Sequence, residues 1–136
     1  MIVLDCNAAF AMVRGTQEGK ALEALLLKGE GIAAPAFLKV ELANVLWKSV
    51  RAGMVDRREA DAAAAAATAL VGEFFDDEEL VVEALSEAVR LGHPVYDMLY
   101  FVLARRLGAT LFTLDRKLQG LCAENGVNCV FTDDEF

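Results

Sequence analysis

The sequence predicts an α/β fold: a short parallel sheet covered by helices on both faces. Three observations predict it. Short apolar runs at 2–4, 32–34 and 109–114 alternate with longer segments of helical periodicity. Residues 2–4 are continuously apolar, as in strands buried on both sides. Two of the runs lead into an aspartate, Asp5 and Asp115, at the carboxyl end of a strand, where open α/β sheets bind their ligands.

The elements follow in order. Residues 2–4 form the first strand, and a short helix begins over 7–13. Gly15-Thr16 makes a turn, with Thr16 capping a helix over 17–28 whose inward residues are Leu22, Leu25 and Leu26. Gly29 and Gly31 end it. Residues 32–34 make a second strand, stopped by Pro35. A helix over 36–52 turns Leu38, Leu42, Val45, Leu46 and Ser49 to one side and stops at Gly53. Asp56 caps the next helix, 57–72, whose six consecutive alanines, Ala62 to Ala67, are strong helix formers small enough for close packing. Phe74-Phe75 is a short strand or a connection. Asp76 or Asp77 caps a helix that runs to Leu91 and ends at Gly92. His93-Pro94 opens another, with proline at a tolerated first-turn position, reaching Leu107 before Gly108. A strand over 109–114, a helix over 116–125 closed by Gly126, a last strand over 127–131 and an acidic tail over 132–136 complete the chain.

Composition narrows the function. The 136 residues suit one domain, 1–136, with no repeat or linker. A hydrophobic content of 56% implies a well-filled core or a substantial oligomer interface. No stretch reaches the roughly 18 uncharged apolar residues of a membrane helix. The first apolar run stops at Asp5 without a basic leader, so neither a membrane nor a secretory signal is expected. Cys6, Cys122 and Cys129 are odd in number, lack CxxC spacing and have no histidine nearby in sequence. That pattern fits a reducing cytoplasm better than a zinc site or a disulfide scaffold. A Cys6–His93 nucleophile is less expected than a buried structural cysteine. The formal charge of −8 ordinarily argues against nucleic-acid binding, but bound cations would cancel acids gathered in one site.

Four carboxylates stand beside core-forming segments: Asp5, Glu41, Asp97 and Asp115. Each has a plain structural use. Asp5 and Asp115 can cap the helices that follow them, and Glu41 can sit at a solvated helix edge. Asp97 resists that explanation best. The uncharged run around it, from Pro94 to Ala104, leaves its helix almost no polar face. It needs a partner, either an arginine or the first-turn backbone N–H groups near Pro94. Jointly, four converging acids repel one another and need a counter-charge. Hard oxygen ligands suit Mg²⁺ or Mn²⁺, whose natural chemistry here is phosphodiester hydrolysis.

Four segments in this order resemble the PIN domain family of Mg²⁺/Mn²⁺-dependent ribonucleases, and within it the VapC toxins of toxin–antitoxin pairs. They are Ile2-Val3-Leu4-Asp5-Cys6-Asn7, Val40-Glu41-Leu42-Ala43-Asn44-Val45-Leu46, Val95-Tyr96-Asp97-Met98-Leu99-Tyr100 and Leu111-Phe112-Thr113-Leu114-Asp115-Arg116-Lys117-Leu118. The last two, a Y-D-x-x-Y helix start and a T-x-D strand end, are the most specific. The resemblance implies a three-layer α/β/α sandwich and an endoribonuclease whose metal is held by Asp5, Glu41, Asp97 and Asp115. Thr113 would orient the site through its hydroxyl, and Asn7 would hydrogen-bond a metal water or the scissile phosphate; turn or cap bonding is the equal alternative for both. It also implies a homodimer and a cognate antitoxin whose basic segment enters the acidic groove. Cys6 departs from the small residue usual there. Arg14, Lys39, Lys48, Arg51, Arg116 and Lys117 are candidate RNA contacts, and Trp47 is a packing or interface residue before it is a base-stacking one.

Two other readings compete. One keeps the fold as a non-catalytic regulatory module. The other is a different phosphoryl-transfer fold, but a haloacid-dehalogenase-like phosphatase would need an acid at residue 7, which is Asn. A response-regulator receiver would need paired acids at the first strand end and a mid-chain phospho-acceptor Asp; neither is present.

Overall fold

The computed structural model describes residues 1–130. Its centre is a four-stranded parallel sheet: β1 (Ile2–Leu4), β2 (Ile32–Pro35), β3 (Glu73–Phe75) and β4 (Thr110–Phe112), in the order β3-β2-β1-β4. Successive strand residues point to opposite faces, and Val3 and Leu4 are both fully buried. Both faces of the sheet are therefore covered, as the continuous apolar runs required.

Among the described residues seven helices connect and cover the strands: α1 (Cys6–Arg14), α2 (Gln17–Ala24), α3 (Phe37–Arg51), α4 (Arg57–Leu70), α5 (Asp77–Leu91), α6 (Val95–Leu107) and α7 (Arg116–Glu124). Helix α6 lies against β1, β2 and β4 with α5 packed on it, and its residues from Met98 to Ala104 are all buried. A helix apolar on every side belongs inside a layered core, and α6 is that helix. Helices α3 and α4 form a hairpin that also meets α1. Asp56 and Glu59 close a reciprocal capping box at the start of α4, and the small residues Ala60 and Ala67 are its buried contacts.

Four elements differ from the sequence expectation. Helix α2 ends at Ala24, not at residue 28, because Leu25 and Leu26 bond back to Leu22 and Glu23 in a tightened last turn. Of the expected inward leucines Leu22 is buried and Leu26 packs half-buried against the core, while Leu25 is 56% exposed. Strand β4 stops at Phe112, short of residue 114. Gln119 Nε2 donates to the Thr113 carbonyl at 2.8 Å and the Leu114 N–H donates to Asn7 Oδ1 at 2.9 Å, so side chains take over where a ladder would continue. Within the described residues, the last strand reduces to one parallel bridge between Leu111 and Cys129; residue 131 and the acidic tail 132–136 lie outside them. Asp76, one of the two expected candidates, is the N-cap residue of α5 but makes no side-chain cap bond, while the Asp77 Oδ1 accepts from the Phe37 N–H, the first of α3, at 3.0 Å.

Strand order is what positions a site. The chain moves from β1 outward to β2 and β3, then returns to add β4 on the other side of β1. The carboxyl ends of β1 and β4 thus flank the point where the order reverses, the crevice where such sheets hold ligands.

Candidate metal centre and active site

Asp5 leaves the end of β1 and opens α1. Its Oδ1 accepts from the Cys6 N–H at 2.7 Å and its Oδ2 from the Thr113 hydroxyl at 2.7 Å. It caps the helix, as the plain reading allowed, and is also 4% exposed. Burial pushes its carboxyl up to about 7, offset in part by the Thr113 hydroxyl and raised further by the nearby charges of Glu41 and Asp97. Thr113, fully buried just past β4, has its bonding capacity filled: besides donating to Asp5 it accepts from Asn7 Nδ2 at 3.3 Å and the Asp115 N–H at 3.2 Å. Asn7 itself is exposed and spans the β1 and β4 ends through Thr113 and the Leu114 N–H.

Glu41 and Asp97 reach the same place from helices. Glu41, on α3, accepts from the Tyr100 hydroxyl of α6 at 2.6 Å. Burial raises its carboxyl, Tyr100 works against that, and Asp97 adds repulsion. Asp97, in the first turn of α6, has its Oδ2 at 2.7 Å from His93 Nε2. Its partner is this histidine and neither of the two the sequence suggested, an arginine or first-turn backbone N–H groups. Asp5, Glu41 and Asp97 line one open cleft of about 230 Å³ together with Cys6, Asn7 and Phe10. Cys6 is 4% exposed, and burial, then Glu41 and Asp5, push its thiol up to about 12, which fits the buried structural cysteine.

Asp115 stands slightly apart and does not line that cleft. It caps α7, its Oδ1 accepting from the Lys117 and Leu118 N–H groups at 3.0 and 3.3 Å. It still converges with Asp97 and His93, whose donor atoms and its own all lie within 4.8 Å of one another. The four acids predicted from sequence therefore fall into a cleft trio and one neighbour beyond Asp97.

The donor chemistry fits a hard divalent cation. Three carboxylates face one cleft, two of them pushed up by burial and mutual repulsion. Among the described residues none is paired with a lysine or arginine. Sequence reasoning missed His93 as a site residue and Tyr100 as the partner of Glu41. The i, i+4 spacing of His93 and Asp97 was the available signal for the first. For the second there was none beyond the motif, since Glu41 and Tyr100 are 59 residues apart.

The basic candidates Arg14, Lys39, Lys48, Arg51, Arg116 and Lys117 are all exposed. Three of them sit over rings: Arg14 over Phe10, Lys39 over Phe74 and Arg51 over Trp47. Trp47, 54% exposed, lines an apolar groove between α3 and α4 and is outside the core. No helix among the described residues is long and apolar enough to cross a membrane.

Known proteins share both sequence and architecture with this chain. Ribonuclease VapC3 of Pyrobaculum aerophilum is 28% identical over 123 residues, covering 86% of this chain and 91% of that protein. The crystal structure of PAE2754 from the same organism superposes with a TM-score of 0.70 at 25% identity, over 88% of this chain and 82% of that one. A chain of Rickettsia felis VapBC2, solved bound to a DNA fragment from its promoter, superposes with a TM-score of 0.68 at 20% identity, over 98% and 100% of the two chains. The PIN domain profile matches residues 2–135, so the chain belongs to the PIN domain family.

Proposed function

We propose that this protein is a divalent-metal-dependent endoribonuclease, the toxin of a type II toxin–antitoxin pair, working in the cytoplasm. The observation that carries the reading is the convergence of Asp5, Glu41 and Asp97 on one cleft at the sheet's switch point, in a PIN-family chain. A relative named as a ribonuclease supports the substrate class. In this reading the whole of 1–136 is one domain.

The ion is Mg²⁺, with Mn²⁺ as a substitute, since hard oxygen donors suit both. Asp5, Glu41 and Asp97 hold it, and Asp115 contributes from beyond Asp97. When bound, such an ion supplies charge neutralisation and Lewis acidity for hydrolysis of a phosphodiester. The protein's part is orientation. Thr113 fixes one oxygen of Asp5, Tyr100 fixes one of Glu41, and Asn7 ties the two strand ends together at the rim, where its exposure lets it meet a scissile phosphate. A bound cation would offset the repulsion between the acids and an approaching phosphate; Arg116 and Lys117, at the start of α7, are the nearest basic candidates in sequence to Asp115.

The partners follow from charge and surface. A basic antitoxin segment complements the acidic cleft, and the chain shares its fold with a chain of the VapBC2 assembly. A homodimer has apolar surface to draw on, because Val82, Leu85 and Val89 of α5 are exposed on one side.

Cleavage of RNA in Mn²⁺ by the wild-type protein, Asp5→Asn and Asp97→Asn tests the activity. The reading expects cleavage by the wild type and its loss in both folded variants. Equal cleavage by all three, after exclusion of contaminating nuclease, removes the acids from catalysis. No cleavage by a metal-loaded wild type leaves the non-catalytic module.

A further inference from the structure

Building on that reading of the cleft, we propose that His93 is a positioning residue for the metal centre. It grips one oxygen of Asp97 so that the other is offered to the ion. His93 is the single histidine of the chain. It follows the left-handed cap Gly92 that ends α5, and the Pro94 cap of α6 comes next. The turn drives the imidazole inward, where its side chain is 3% exposed while Asp97 remains 25% exposed towards the cleft. A rigid, buried group thus holds a partly open one.

The hydrogen-bond inventory fixes which nitrogen does the work. Nε2 lies 2.7 Å from Asp97 Oδ2, and a carboxylate only accepts, so Nε2 carries the hydrogen. Among the described residues Nδ1 is buried without a partner, so a hydrogen placed there would be a buried donor with nothing to receive it. The imidazole is held as the Nε2–H tautomer, with its one useful donor spent on Asp97. This argues against His93 as a direct ligand, even though its donor atom lies within 4.8 Å of those of Asp97 and Asp115.

The arrangement completes a pattern. Each cleft acid takes one side-chain donor from a different part of the chain: Asp5 from Thr113, Glu41 from Tyr100, Asp97 from His93. None of the three donors is a lysine or arginine, so the carboxylates are oriented without a fixed cation taking the place of the metal. Such outer partners fix ligand direction, and their loss typically costs about 10- to 100-fold in metal affinity.

Two measurements test the proposal. Mn²⁺ titration followed by electron paramagnetic resonance compares the wild type, His93→Ala and His93→Gln. The expectation is an affinity about 10-fold or more weaker in His93→Ala. The glutamine variant, whose side-chain amide can donate to the same oxygen, recovers most of it. Unchanged affinity in a folded His93→Ala, or a glutamine variant no better than alanine, overturns the proposal. Because the alanine variant can fail to fold, ¹⁵N imidazole spectra of the metal-free wild type stand independently. With one histidine the assignment is unambiguous: an Nε2–H tautomer supports the proposal and an Nδ1–H tautomer overturns it. Absence of Mn²⁺ binding by the wild type is a separate result that defeats the metal-centre reading itself, and this proposal with it.

Discussion

Asp5 carries the site's electrostatic cost in one side chain. Its carboxyl stands at about 7 in the metal-free protein against an ordinary 3.8, so between those values the folded state holds a proton that the unfolded chain has released. Stability contributed by that proton is present at low pH and is lost as pH rises through about 7. The metal-free protein should therefore lose stability from about pH 4 to pH 7, by up to roughly 4 kcal/mol from this group. Asp5→Asn should escape the loss and be the more stable protein at pH 8. Urea denaturation in chelator across that range checks the sign; a wild type that gains stability over it contradicts the burial argument. Tyr100→Phe removes the hydroxyl from Glu41 and leaves a part-buried carboxylate oxygen short of a donor. It should lower Mn²⁺ affinity by about 10-fold and stability by about 1–3 kcal/mol, measured by calorimetry and thermal melting. At this scale the acids were legible because apolar neighbours surround them, Asp97 most of all. Their partners were less so: Thr113 was singled out only through the motif it belongs to, and the Tyr100 hydroxyl, 59 residues from Glu41, left no local trace as its partner.

Most elements were legible as elements, because glycine stops, caps and apolar runs act locally. Gly92 and Gly108 end α5 and α6 where the sequence led one to expect, both in the left-handed conformation, and Thr16 and Asp56 cap α2 and α4. One misreading was local, and the other came from competition with distant groups. Three consecutive leucines, Leu25 to Leu27, cannot all face inward from one helix, and α2 stops before them. The end of β4 was hidden because Asn7 and Gln119, remote in sequence, take its last backbone groups. Gly19 shows the same limit from the packing side. It looked like an ordinary helical residue, yet a Cβ there would stand 2.1 Å from the Ala11 carbonyl oxygen of α1. Gly19→Ala should force α1 and α2 apart and lower stability by about 1–3 kcal/mol, seen as a reduced melting temperature.

For the whole molecule, alternation of strands and helices was enough to predict a covered parallel sheet, but strand order was not readable. That order, β3-β2-β1-β4, is what brings the ends of β1 and β4 together and places Thr113 on Asp5. The net charge of −8 gains a physical sense when part of it is concentrated in a cleft that needs a cation. The same scale holds the assembly prediction. Leu85→Glu on the exposed face of α5 should convert the proposed dimer to a monomer in light scattering without loss of helical signal; an unchanged dimer would place the interface elsewhere, and a monomeric wild type would remove it.

The most direct test of the central claim is Mn²⁺ titration into the purified protein by calorimetry, beside Asp97→Asn under the same conditions. Binding by the wild type and its loss in a folded variant are expected. Equal binding by both would contradict it, because the ion would then sit away from the cleft that Asp5, Glu41 and Asp97 define.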